Sequence, residues 1–207
     1  MKRIRFITIC LLAIAHQGQS QFRLPAFDLS IKGGISFIPS LMEEISSDIQ
    51  IRYQYNAPVV SGELNFHLGQ RVAIGGFWTR GNGEVNVELE NPLTDLGNYT
   101  AGHQMYGASL RLSAPRTRRF RLYNQLSYFK SEMYFDYGSY RAANNTSGLG
   151  FTFGAMIKLS DKLSLNFPDV SLRKTFGDFY FMKDNGFMDG ALLELRGGLT
   201  YNFSRRK

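Results

Sequence analysis

The chain has 207 residues, a formal charge of +7, 14% aromatic residues, 21 glycines and one cysteine. That length suits one domain, and that composition suits strands and tight turns better than helices. No apolar run approaches the ~20 residues of a membrane-spanning helix, and the single cysteine excludes an internal disulfide framework.

In residues 1–20, Lys2, Arg3 and Arg5 precede an apolar run over 6–15, and Gly18 and Ser20 supply small residues before Gln21. This is the build of a secretory signal peptide, cleaved after Ala15 or before Gln21. Cys10 lies inside the apolar run and not at its end, so it reads as part of the signal and not as a lipid anchor. Residues 1–20 are therefore assigned to the signal and 21–207 to one mature domain without cysteine. Losing the three basic residues lowers the charge to about +4. Much of what remains is Arg116, Arg118, Arg119, Arg121 and the tail Arg205, Arg206 and Lys207. An exported chain meets no nucleic acid as a routine ligand, so these cations are expected to face lipid phosphates or water.

Alternation at period two then recurs along the chain. Phe27, Leu29, Ile31, Gly33, Ile35 and Phe37 alternate with Asp28, Ser30, Lys32, Gly34 and Ser36 in a first strand that Pro39 is expected to end. After a polar stretch over 40–58, the second strand over 59–68 sets Val60, Gly62, Leu64, Phe66 and Leu68 against Ser61, Glu63, Asn65 and His67. A tight turn at Gly69 leads into a third strand over 71–79, with Val72, Ile74, Gly76 and Trp78 on the apolar face. Residues 80–102 read as a long loop in which Val85, Val87 and Leu89 still alternate, so the flanking strands are expected to extend as a ribbon. The fourth strand, 104–114, sets Tyr106, Ala108, Leu110 and Leu112 against Gly107, Ser109, Arg111 and Ser113. The fifth, 119–130, sets Phe120, Leu122, Leu126 and Tyr128 against Arg121, Tyr123, Gln125 and Ser127, with Asn124 a misfit. A loop over 131–147 precedes the sixth strand, 148–159, whose apolar set is Leu149, Phe151, Phe153, Ala155, Ile157 and Leu159. In the seventh, 162–174, parity changes across Pro168 and Asp169, which predicts a bulge. A loop over 175–190 leads to the closing strand, 191–203, with Leu193, Leu195, Gly197, Leu199, Tyr201 and Phe203 on one face and Glu194, Arg196, Gly198, Thr200 and Asn202 on the other.

Connections of roughly fifteen to twenty-three residues alternate with turns of about two to four, the rhythm of barrels with long loops outside and short turns in the periplasm. The pattern predicts an all-β fold, an eight-stranded antiparallel up-and-down transmembrane β-barrel. In this it resembles the small outer-membrane barrels of the OmpA-barrel and OmpX kind. The Gln21 start and the ending Leu-Arg-Gly-Gly-Leu-Thr-Tyr-Asn-Phe are similar to members from Bacteroidota-type bacteria. The resemblance implies an outer-membrane location, contact with outer-membrane lipids and lipopolysaccharide, and insertion by the barrel-assembly machinery. Its final aromatic signal is slightly internal here, because Ser204, Arg205, Arg206 and Lys207 follow Phe203. A soluble lipocalin-type barrel is the alternative architecture. The glycine- and serine-rich polar face would solubilise such a barrel poorly, and aromatic residues near strand ends suit interfacial girdles.

An eight-stranded interior is filled by side chains. Its inward set is Lys32, Glu63, His67, Arg111, Arg121, Lys158, Glu194 and Arg196. Lys32, Glu63, Glu194 and Arg196 lie at similar height on adjacent strands, so an ion-paired plug is expected, with a gated ion path as the alternative. His103, with Ser109 deeper on the same face, is the one base near the outer rim available to a lipid A-modifying hydrolase or acyltransferase. It is expected to be a surface histidine on a loop edge. No catalytic, metal or cofactor site is assigned. Asp184, Asn185, Gly186 and Asp189 do not complete a calcium loop. Tyr134, Tyr137 and Tyr140, with Phe179, Tyr180 and Phe181, form the candidate loop surface for a protein or glycan partner. The expected role is that of a monomeric structural or surface-interaction barrel, with lipid modification or an accessory place in a secretion or gliding apparatus as alternatives.

Overall fold

The computed structural model describes residues 26–46, 49–90, 93–115, 119–137, 140–176 and 191–203. They form eight strands, β1 (Phe27–Ser46), β2 (Ile49–His67), β3 (Val72–Glu90), β4 (Leu93–Ser113), β5 (Phe120–Tyr137), β6 (Tyr140–Lys158), β7 (Leu163–Phe176) and β8 (Leu192–Asn202). Each pairs antiparallel with its chain neighbours, and β8 pairs with β1 to close an up-and-down barrel. The segment read as a signal lies outside the described residues.

Closure rests on the alternation of the last strand. The β1–β8 ladder runs from Asp28 opposite Asn202 to Phe37 opposite Leu193. At its lower end Phe27 stacks on Phe203 with ring centroids 4.4 Å apart, and the Phe203 amide donates to the Phe27 carbonyl at 2.9 Å. Two tight hairpins share that end, where Leu68 N bonds Val72 O at 3.0 Å and Leu159 N bonds Leu163 O at 3.0 Å, and β4 meets β5 there as Ala114 N bonds Leu122 O at 2.9 Å.

The outward faces are apolar over the short-turn half. Ile31, Leu64, Ile74, Leu110, Leu126, Phe151 and Leu199 are all exposed there, while Asn65, Arg111, Gln125, Thr152 and Thr200 are buried inside. Asn124 sits among the outward set, exposed. On β2 the outward belt from Val60 to Leu68 spans roughly 20 Å along the barrel axis at ~3.3 Å per residue and a tilt of ~40°, close to the ~25 Å apolar band of outer-membrane barrels. Aromatic side chains edge it, with Trp78 paired to Tyr106 at one rim and Phe27 paired to Phe66 at the other.

Above Trp78 the polarity reverses. Arg80, Asn82 and Glu84 face outward and are exposed, while Val85 and Val87 face inward. They pack in a core with Phe77, Met105, Phe129, Met133, Ala101 and Ile38. Low on the barrel, then, the apolar groups are outside. High on the barrel they are inside, as in a protein surrounded by water.

Several expected boundaries move. β1 does not stop at Pro39. It continues to Ser46 through a register shift between Ile38 and Leu41, because a bulge removes the proline, which has no N–H, from the ladder. The expected loop over 131–147 is mostly strand, since β5 runs to Tyr137 and pairs it with Tyr140 of β6. Residues 80–102 form the expected ribbon, β3 reaching Glu90 and β4 beginning at Leu93. Ala155, expected in the outward apolar set, is buried. It sits where two residues of β7, Phe167 and Pro168, stand against one of β6. The same two residues stand against one of β8, so the bulge expected in β7 is present.

Candidate functional site

Inward parity on eight strands, together with the β7 bulge, assembles one ion-paired network. Because Phe167 and Pro168 are looped out, Asn166 and Asp169 both face inward, as do Ser171 and Arg173. Asp169 thereby becomes the hub. Its Oδ2 lies 2.5 Å from Lys32 Nζ and its Oδ1 lies 2.5 Å from Arg196 Nη2. It also accepts from the Tyr123 hydroxyl.

The chain of charges runs the height of the belt. His67 Nε2 lies 2.7 Å from Asp28 Oδ2, which stands 3.8 Å from Arg111 Nη1. Arg111 Nη2 then meets Glu63 Oε2 at 2.6 Å, and Glu63 Oε1 meets Lys32 Nζ at 2.9 Å. Beyond Asp169, Arg196 Nη1 meets Glu194 Oε2 at 3.1 Å, and the same oxygen accepts from Arg173 Nε at 3.0 Å. The Arg173 guanidinium ends the chain over the Phe77 ring, 4.6 Å from its centroid, at the floor of the apolar core. Lys32, Arg111, Arg173 and Arg196 face Asp28, Glu63, Asp169 and Glu194, so the buried fixed charges cancel among the described residues. Desolvated ions are tolerated when each is paired and hydrogen-bonded, which these are.

Glycine makes the room. A Cβ at Gly154 would run into the Tyr123 ring, so this residue of β6 lets the tyrosine lie across the lumen to Asp169.

Of the residues singled out in the sequence, Lys32, Glu63, Arg111, Glu194 and Arg196 are brought together in this network. Arg121 is placed elsewhere, half-buried at the short-turn mouth, where it lines a cavity of about 260 Å³ with His67 and Lys158. Lys158 also pairs with Asp161 at 2.5 Å. His103 is not a surface residue on a loop edge. It lies within β4 with 0% exposure, and its Nδ1 is 2.8 Å from the Tyr55 hydroxyl. On β4 it lies between Ala101 and Met105 of the inward apolar core, away from the lipid-facing rim where an acyl hydrolase would need its base. Tyr134 lies on the outer face of β5, and its hydroxyl donates to Asn82 Oδ1 at 2.5 Å. Tyr137 and Tyr140 are backbone partners in the β5–β6 ladder. Phe179, Tyr180 and Phe181 lie outside the described residues, as do Arg116, Arg118 and the basic tail.

A closed eight-stranded antiparallel barrel is also what solved structures present. The fold is that of outer-membrane barrels. The chain is similar to Neisserial surface protein A, with a TM-score of 0.58 and 11% identity over 85% of this chain and 96% of that one. It is similar to the outer membrane protein OprG of Pseudomonas aeruginosa, with a TM-score of 0.58 and 12% identity over 87% and 98% of the two chains. For the N-terminal β-barrel domain of Pseudomonas aeruginosa OprF the TM-score is 0.52, with 8% identity over 86% and 97%. No family model and no curated protein matches the sequence.

Asp28, Asp169, Arg173 and Tyr123 are network members the sequence reading left out. For Asp28 and Tyr123 the signal was the same inward parity as Lys32 and Arg121. For Asp169 and Arg173 it was parity counted onward from the bulge.

Proposed function

We propose that the chain is an integral outer-membrane barrel, exported by its signal peptide, acting as a monomeric surface-interaction protein. The barrel holds a rigid outer platform above the lipid. The single observation that supports this reading is the reversal of polarity along β3, from outward Ile74 and Trp78 to outward Asn82 and Glu84 over inward Val85 and Val87. A protein crossing from hydrocarbon into water needs that reversal. The filled and charge-neutral lumen supports a structural role for the interior over conduction. The working surface is then the outward face of the strand extensions, where Asn82, Tyr134, Glu84 and Glu132 present polar groups and an aromatic ring to solvent. The Gln21 start and the Tyr-Asn-Phe ending support an OmpA/OmpX-like affiliation of the Bacteroidota type.

Expression of the full chain in a Gram-negative host tests the placement and the role together. A peptide tag inserted at 91–92 is expected to be reached by antibody on intact cells. Purified barrel is expected to bind glycan or protein arrays and to lose that binding when Asn82 and Tyr134 are replaced by alanine. A tag reached only after the outer membrane is opened contradicts the reading.

A further inference from the structure

The two mouths of the barrel differ in charge. In the long-connection half the described strands carry Glu84, Glu88, Glu132 and Asp136, which Arg52, Arg80, Lys130 and Lys174 balance. The short-turn end presents Arg71, Arg119, Arg121, Lys158 and Lys162 against Asp161. They add to a lumen whose four positive side chains already face four carboxylates, and Lys158 pairs with Asp161 at 2.5 Å. The surplus therefore calls for its own explanation, and simple solvation does not account for its shape. Three of the cations, Arg119, Arg121 and Lys158, converge on a single recess of about 260 Å³ instead of spreading over the turns.

The floor of that recess is built. His67 lines it, and its Nε2 is held by buried Asp28 at 2.7 Å. Asp28 is fixed in turn by the Asn65 amide at 3.0 Å. Nδ1 is the ring nitrogen Asp28 does not engage, on a ring whose orientation is already set. On one wall is Phe120, itself 41% exposed at the lower edge of the apolar belt. The recess thus opens at the level where the belt gives way to water.

We propose that the short-turn mouth is a binding site for a phosphate group, held by Arg119, Arg121 and Lys158 above His67. Two features select phosphate. The lining cations exceed the lining carboxylate Asp161 by two charges, which matches the roughly −2 charge of a phosphate monoester. Arginine guanidinium groups present planar forks of donors suited to oxyanions, and lysine adds a mobile point charge. The volume lies just below the usual range of about 300–1,000 Å³ for drug-sized ligands, so the recess holds a headgroup or a small phosphate and not a folded polymer. A lipid headgroup and a soluble phosphate share this chemistry, and the position beside Phe120 is open to both. The site lies at the opposite mouth from the outer platform, so its ligand is independent of what that platform binds.

The test uses the full chain refolded in maltoside detergent with ¹⁵N-labelled histidine, titrated with inorganic phosphate. The His67 resonances are expected to move saturably while those of His103, enclosed beyond the network, stay fixed. Arg119→Gln and Arg121→Gln should each weaken the response by about tenfold or more, and Lys130→Gln at the far end should leave it unchanged. Arg119 is exposed, so its variant keeps the experiment decisive if the half-buried Arg121 variant fails to refold. Micelles doped with phosphatidic acid form the lipid arm. A His67 shift there but not with inorganic phosphate assigns the site to lipid, and a shift with inorganic phosphate alone assigns it to a soluble ligand. No His67 shift in either arm overturns the proposal. So does an equal shift with chloride at the same ionic strength, or a shift indifferent to both arginine variants.

Discussion

Lys32 Nζ lies 2.5 Å from Asp169 Oδ2, although 137 residues separate them and β8 stands between their strands. Gly198 of β8 is opposite Lys32 in one ladder and opposite Asn166 in the next, so no side chain intervenes where the lysine crosses. The contact exists only when the barrel is closed. Asp169 also carries Arg196, so Asp169→Ala takes one carboxylate from two buried cations at once, leaving Lys32 with Glu63, Arg196 with Glu194 and the lumen with one uncompensated positive charge. The expected loss is about 3–5 kcal/mol of folding free energy, read as a lowered urea midpoint of Trp78 fluorescence for the barrel in lipid. A midpoint equal to wild type would show that the hub contributes nothing to closure.

Gly154 and Tyr123 should be energetically coupled. Gly154→Ala forces a methyl group into the space of the Tyr123 ring and is expected to cost about 1–3 kcal/mol. In a Tyr123→Leu background the ring is gone, so the same alanine should cost much less. A double-mutant cycle by urea titration should therefore return a coupling of about 0.5–3 kcal/mol. Strict additivity would mean that Tyr123 does not need the vacancy at residue 154.

His67 and His103 should differ in chemical reactivity. The His67 side chain is 22% exposed at a mouth, whereas that of His103 is 0% exposed. Diethylpyrocarbonate applied to the folded barrel should modify His67 within minutes and reach His103 only after denaturation, as read by mass spectrometry of peptides. Early modification of His103 would place it in contact with solvent after all.

The strands of the belt were legible because each lies between two different environments, and period-two alternation records that directly. Leu149, Phe151 and Phe153 of β6 are outward, as their spacing implies. The outer third was harder to read because its apolar parity changes without any insertion. On β3 the apolar residues are the even-numbered Ile74 and Trp78 low on the strand and the odd-numbered Val85 and Val87 above, since the medium outside has changed and not the strand. The alternation of Val85 and Val87 was visible, but its reversed sense is what marks the edge of the belt. Pro39 misled for another reason. Proline ends a strand only where its missing N–H cannot be shed into a bulge, and here the register shift absorbs it. Asp169 was hidden by the same device, because a parity change across Pro168 and Asp169 signals a bulge without saying which face the carboxylate joins, and the bulge delivers it to the lumen. His103 reads as a rim residue because the clear alternation of β4 begins only at Gln104, whereas the strand itself starts at Leu93.

The reversal of polarity along β3 is most directly measured by spin labels. Residues 21–207 contain no cysteine, so this domain gives a background for single cysteines at Ile74, Gly76, Asn82 and Glu84. Collision rates with oxygen, which concentrates in hydrocarbon, and with a water-soluble nickel chelate would be compared for the barrel in bilayers. Labels at 74 and 76 should favour oxygen, and labels at 82 and 84 should favour nickel, with the crossover beside Trp78. Nickel access at all four positions would mean that water surrounds the whole barrel and that no lipid meets its apolar belt.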